Sequence, residues 1–240
     1  MKLDLLAFAA HPDDSELGCS GTLIAHIQAG KKVGVADLTR GELGTRGTPE
    51  TRRQEAAQAA EIIGLHARVN LGLADGFFRV DRDQLLAVVK VIRTFQPEIV
   101  LANAIQDRHP DHGRGASLVS EACFLSGLKQ INTLGEAGEE QQAWRPKTVF
   151  HYIQDRYIEP DLVVDITPYW EQKLESIRIF KSQFFDPENT EGPETYISNP
   201  EFLRFIEARA REMGHKIGTT FGEGFTKERH LGVRNLFDLV

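Results

Sequence analysis

The chain has 240 residues, 41% of them hydrophobic, enough to bury one sizeable core, and a single domain spanning residues 1–240 is the expectation at this length. Twenty-eight basic against thirty-five acidic residues leave a net charge of −7, which argues against a nucleic-acid backbone or an anionic membrane surface as the main partner. Cys19 and Cys123, the only cysteines, make no disulfide framework and fit a reduced, cytoplasmic setting. The apolar run Leu5–Ala10 is too short for a signal peptide and far below the ~20 residues a membrane span needs.

Along the chain, apolar runs alternate with helical patterns. Strand-like runs cover Leu3–Ala9, Lys32–Leu38, Ala67–Leu73 and Glu98–Asn103, with weaker ones at Thr148–Ile153 and Leu162–Ile166. Ser15–Ala29 carries Leu17, Leu23, Ile24 and Ile27 at helical spacing and meets a stop at Gly30. Thr48, Pro49 and Glu50 open a second helix that ends near Gly64, with a capping hydroxyl, a first-turn proline and an acidic residue at the positive end of the dipole. Asp81–Gln96 forms a third, closed by Pro97. The segments 134–147 and Phe185–Pro200 read as loops, and a last helix runs from a cap at Asn199 over Pro200–Met213 to a stop at Gly214. Strand, helix, strand in this order implies right-handed crossovers. The expected fold is α/β: a Rossmann-like, doubly wound, mostly parallel sheet with helices on both faces.

In such sheets ligands bind beyond the carboxyl ends of the strands. The first strand runs straight into His11-Pro12-Asp13-Asp14, and Asp107-Arg108-His109-Pro110-Asp111-His112 follows the fourth. Strands one and four are often neighbours at the topological switch point, so the two groups can meet. Two histidines and a carboxylate with an open position make a water-activating zinc site. By spacing, His11 and Asp14 reach one ion from a single turn, and either His109 or His112 completes the set. Asp13 is then available to take a proton from water, and Asp111 to orient a histidine. The duller alternative is that Asp13, Asp14 and Ser15 simply cap the first helix, but two His/Asp clusters at two strand ends favour a site.

Ala10–Asp14 with Leu17 and Gly18, Arg108–His112, Thr39–Glu42 through Thr51-Arg52, and Phe221–Phe225 resemble the PIG-L or LmbE-like zinc deacetylases over nearly the whole chain. Within that family the similarity is to the bacillithiol biosynthesis deacetylases, which act on N-acetylglucosaminyl malate. The Phe221–Phe225 segment differs mildly from the family's aromatic-acidic-aromatic pattern. The resemblance implies an LmbE-like fold and a zinc ion held by His11, Asp14 and His112. It further implies Asp13 as general base, His109 as the residue that stabilises the oxyanion, and Asp111 as the residue that orients it. Arg52 and Arg108 are placed by analogy and position against the malate carboxylates, and Tyr196 offers a hydroxyl from its loop. An amino-sugar substrate, no nucleic-acid or membrane partner, and a homo-oligomer, a hexamer by resemblance, complete the expectation.

Rival readings keep parts of this pattern. Iron or another divalent ion also suits the donor set, and two histidines with a carboxylate form the facial triad of non-haem Fe(II) oxygenases. A non-catalytic nucleotide-binding module shares the fold, but the first turn lacks Gly-x-Gly-x-x-Gly and presents carboxylates where a pyrophosphate would sit. The same hydrolysis on a thiol S-conjugate, a chitooligosaccharide or a glycolipid is the nearest alternative.

Overall fold

The structure, a computed structural model, describes residues 1–186 and 193–239; residues 187–192 of the loop expected over Phe185–Pro200 lie outside them. Strands β1 (Leu5–Ala9), β2 (Val33–Thr39), β3 (Ala67–Leu73), β4 (Ile99–Ala102), β5 (Thr148–Tyr152), β6 (Leu162–Asp165) and β7 (Gly222–Lys227) form one sheet in the order β3-β2-β1-β4-β5-β7-β6. The first five are parallel, and β7 runs antiparallel to both β5 and β6. The order reverses between β1 and β4, so the expected switch point is there.

Side-chain alternation along the buried strands divides the core in two. Leu6 and Phe8 of β1, Ala36 and Leu38 of β2, and Val100 and Ala102 of β4 face helices α3 (Arg82–Phe95) and α4 (Pro110–Leu125), packing with Val88, Ile92, Leu118 and Ala122. Leu5, Ala7, Val33, Val35 and Leu101 face the other way, onto Leu23 and Ile24 of α1 (Asp14–Gln28) and Ile63 of α2 (Pro49–Ile63). A strand buried on both faces reads as a continuous apolar run, and each large side chain taken out of water contributes roughly 1.5–3 kcal/mol. That is why Leu5–Ala10 is apolar throughout and why the first polar residue after it marks the sheet's edge.

Local signals act as anticipated at several helix ends. Thr48 accepts the Thr51 N–H, Asn199 accepts that of Glu201, and Gly64 ends α2 in the left-handed conformation, φ 83°. Three elements differ from expectation. Helix α6 (Pro200–Lys216) passes through Gly214, because that glycine serves contact and not termination: a Cβ there would lie 2.7 Å from the backbone nitrogen of Phe221. The next chain segment therefore packs directly on the helix and leads into β7, whose glycine-broken sequence gives no strand alternation. Helix α5 (Trp170–Arg178) was likewise unanticipated; it packs against α1 and α2 and sends Lys173, 2% exposed, to Glu223 of β7 at 2.8 Å. Glu223 also accepts the N–H groups of Gly21 and Thr22 and the Thr22 hydroxyl, which ties α1 to the far end of the chain. No helix among the described residues is long and apolar enough to cross a membrane.

Candidate active site

Every strand from β1 to β5 leads into a segment that delivers a polar side chain to one pocket at the carboxyl edge of the sheet, β2 through Thr45 and Arg46. His11, Asp13 and Asp14 come from the turn after β1, Asp75 from the turn after β3, Asp107, Arg108, His109 and His112 from the segment after β4, and Gln154 and Asp155 from beyond β5. The pocket has a volume of about 460 Å³. The two sequence clusters are brought together as the adjacency of β1 and β4 requires: the rings of His11 and His109 lie 4.6 Å apart between centroids, and those of His109 and His112 5.3 Å.

Asp14 stands between two imidazoles, 3.5 Å from His11 Nδ1 and 3.1 Å from His112 Nε2. Neutral donors hold it there: the His11 backbone N–H at 2.9 Å, Asn103 Nδ2 at 3.1 Å and Gln154 Nε2 at 3.0 Å. The remaining ring nitrogens are occupied by carboxylates. His112 Nδ1 meets Asp107 at 2.5 Å, and His11 Nε2 meets Asp75 at 3.0 Å and Asp111 at 3.4 Å. This leaves one nitrogen of each ring facing Asp14, with a carboxylate behind it, which is the arrangement that orients and polarises metal-bound histidines. The donor chemistry, two imidazole nitrogens and one carboxylate oxygen, fits a divalent transition metal. Ring nitrogens of His11, His109 and His112 also lie within 4.8 Å of one another, as do the donor atoms of His11, Asp75 and Asp111.

Electrostatics follow from this crowding. Burial pulls the His11 and His112 imidazoles down, but the carboxylates around them win: His11 sits well above its ordinary value of 6.5 and His112 is raised to about 9. Asp14 is held well below the usual carboxylate range despite burial, chiefly by His112 and His11. Asp13 goes the other way, pushed by burial up to about 7 against the opposing pull of Arg52.

Asp13 and Asp14 therefore have different surroundings although they are adjacent. Asp13 occupies the N-cap position of α1 but makes no side-chain cap hydrogen bond, so the capping explanation does not account for it. Its backbone has φ 130° and ψ −24°, a conformation that costs a non-glycine residue roughly 1–3 kcal/mol. Its carboxylate takes a 2.8 Å hydrogen bond from Arg52 Nη2. Arg52, anticipated against a substrate carboxylate, lines the pocket, is 4% exposed and donates to Asp13.

His109 caps α4: its Nδ1 accepts the Asp111 backbone N–H at 3.2 Å. An accepting Nδ1 puts the proton of the neutral ring on Nε2. Burial and the charges of His11 and His112 lower its pKa below 6.5. The Asp111 carboxylate, expected to orient His109, instead accepts from Gly76 N–H at 2.8 Å and Arg114 Nη1 at 2.5 Å and faces His11, so its link to His109 runs through the backbone.

Arg108 and Tyr196 do meet, on the pocket's outer rim. The guanidinium lies 4.3 Å over the Tyr196 ring, and both side chains contact Asp155, Tyr196 through its hydroxyl at 2.9 Å and Arg108 through Nε at 3.4 Å. Asp75, Asn103 and Gln154 were not anticipated as site residues. Their signal in the sequence is only position, each one or two residues past the end of a strand.

The comparisons agree with this architecture. The family model described as PIG-L, GlcNAc-PI de-N-acetylase, matches residues 6–123. The chain is 29% identical over 190 residues to diacetylchitobiose deacetylase of Thermococcus kodakarensis, covering 75% of this chain and 70% of that protein. It is 28% identical over 193 residues to 4-oxalmesaconate hydratase of Pseudomonas putida, covering 74% and 73%. The crystal structure of the conserved protein TT1542 from Thermus thermophilus superimposes with a TM-score of 0.84 at 34% identity, covering 97% of this chain and 98% of that one. The family match and the deacetylase relative make the chain an enzyme of the amide-hydrolysing class. The chain belongs to the PIG-L family of LmbE-like proteins.

Proposed function

We propose that this enzyme is a zinc-dependent N-deacetylase of an N-acetylglucosamine conjugate, with N-acetylglucosaminyl L-malate as substrate and glucosaminyl malate and acetate as products, a step of bacillithiol biosynthesis. The observation that carries the reading is the division of labour between adjacent carboxylates: Asp14 lies among the histidine nitrogens, whereas Asp13 lies beside them, paired with Arg52. An acetylated amino sugar is also what the name of the Thermococcus relative specifies.

In this reading His11, Asp14 and His112 hold the ion. A bound zinc ion supplies Lewis-acid polarisation of the amide carbonyl and lowers the pKa of water. Asp13 takes a proton from the attacking water as the water oxygen bonds to the acetamide carbon. His109 presents its Nε2–H to the oxygen on which negative charge develops, a kind of donor that contributes ~2.7–4 kcal/mol to the transition state. The proton held by Asp13 then passes to the amide nitrogen as the C–N bond breaks, and free amine and acetate result. Asp111 acts through its backbone N–H by fixing the His109 tautomer. Arg108, its side chain 44% exposed at the rim beside Tyr196, meets the acidic aglycone. The homo-oligomer belongs to the same reading and is checked by light scattering.

The test is amine release from N-acetylglucosaminyl malate by metal-stripped protein and by the same protein restored with zinc, with N-acetylglucosamine in parallel. Zinc-dependent release that prefers the malate conjugate is the expected result. Release without that preference redirects the search to another acetylated sugar. Absence of release from both, with hydration of an unsaturated oxo-acid, would transfer the chain to the chemistry named by its Pseudomonas relative.

A further inference from the structure

We propose that Arg52 is a positioning residue that locks the backbone torsion of Asp13 and so aims its carboxylate. The proposal rests on the reading of Asp13 as the base. It assigns Arg52 a role different from contact with the substrate.

Among the described residues Asp13 is one of two non-glycine residues of positive φ, and at 130° it lies outside the small left-handed basin that asparagine and aspartate normally use. Such a conformation persists only where the surroundings over-determine it. The cap position gives the Asp13 side chain no such support, because it makes no bond to its own helix. The backbone is held at the helix start by the Leu17 N–H on the Asp13 carbonyl and by the Asp14 N–H on that of His11, and the side chain by a single nitrogen. Arg52 Nη2 donates to Asp13 Oδ2 at 2.8 Å and also to the carbonyl oxygen of Pro12. The Pro12 carbonyl marks the peptide plane on one side of the Asp13 N–Cα bond, and the carboxylate marks the side chain on the other. Tying both to one atom fixes rotation about that bond, which is φ itself.

Arg52 is itself held tightly enough to act as a clamp. It enters from the first turn of α2, whose start is set by the Thr48 cap and Pro49. Its guanidinium sits against Gly41 in the loop after β2, where an added Cβ would fall 2.1 Å from Nη1. A side chain at this position would displace the guanidinium, and the φ of 66° independently favours glycine. Arg52 Nε is buried with no hydrogen-bond partner, so the guanidinium keeps its place at the cost of one unsatisfied donor, as a group held for the sake of its other contacts does.

Steady-state amine release from N-acetylglucosaminyl malate by the zinc-loaded Arg52→Ala variant tests this. The expected result is kcat lower by about a hundredfold, the cost of misplacing a reacting group by about an ångström, with KM within about twofold of wild type and zinc content unchanged. Added guanidinium ion should restore part of kcat. A crystal structure of the metal-free variant should show Asp13 φ returned to negative values. Gly41→Ala, which displaces the guanidinium without removing its charge, should lower kcat in the same way, and it carries the test if Arg52→Ala does not fold. A raised KM with kcat intact overturns the proposal and makes Arg52 a substrate contact; an unchanged kcat in both variants overturns it as well. Asp13→Asn separates this from the underlying reading: if that variant keeps its turnover the base assignment fails, and if it loses turnover while Arg52→Ala does not, only the clamp fails.

Discussion

On one side of the pocket His11, Asp14, Asp107 and His112 are at most 8% exposed, and each ring nitrogen or carboxylate has another polar group of the site against it. On the other side Tyr196 is 53% exposed, stacks edge-on to Phe202 and leans on Arg108, which approaches Asp155 at 3.4 Å. The first wall is carried by the ends of two hydrogen-bonded strands, β1 and β4, so its atoms are placed by the sheet. The second is assembled from the loop before α6, from α6 itself, from the segment past β5 and from Arg108 beyond β4, so its atoms are placed mainly by side-chain packing. Chemistry that depends on fractions of an ångström occupies the wall with the stiffer support. Substrate selection, which tolerates graded contacts, falls to the other.

If that division is right, substitutions on the two walls should fail in different ways. Asp107→Asn takes the carboxylate from behind His112, and zinc affinity should fall by about 10- to 100-fold, as loss of such a partner typically costs; competition with a chelator measures it, and an unchanged affinity would show that the 2.5 Å contact does not orient the ligand. Arg108→Ala should raise KM for the malate conjugate by about tenfold, equivalent to one charge-assisted hydrogen bond of roughly 1.5 kcal/mol, and leave KM for N-acetylglucosamine and the zinc content alone. An equal rise for both substrates would break the assignment of the rim to the aglycone. Tyr196→Phe deletes only the hydroxyl on Asp155, and its effect on KM should stay near twofold, less than ~1 kcal/mol, with kcat unchanged. A large fall in kcat there would erase the distinction between the walls.

The same contrast explains what could be read in advance. His11, Asp13, Asp14, His109 and His112 lie in two short segments, the first directly after an apolar run and the second a few residues beyond one, and the first run's burial on both faces predicted where the strand would end and the site begin. The neighbouring of β1 and β4 then followed from topology. Asp75, Asn103 and Gln154 are polar residues in ordinary turn sequences, and the His11 and Asp14 side chains they meet are 64 to 140 residues away, so only the folded sheet reveals that Asp14 and His11 need them. Arg52 illustrates the converse. Its position suggested a cation for the substrate, but its hydrogen bonds go to Asp13 and Pro12, beside a torsion that no residue type or spacing announces. Strand β7 escaped notice for a related reason: Gly222 and Gly224 replace the alternating side chains by which a strand is recognised, and its buried Glu223 has a purpose only once Lys173 and α1 stand beside it.

The most direct test compares Asp13→Asn with His112→Ala, measuring bound zinc and amine release on the same preparations. Asp13→Asn should keep its zinc and lose about 10²- to 10⁴-fold in turnover, the usual contribution of a general base, while His112→Ala should lose both metal and activity. Equal zinc loss in the two variants would place Asp13 among the ligands and contradict the separation of roles on which the mechanism stands.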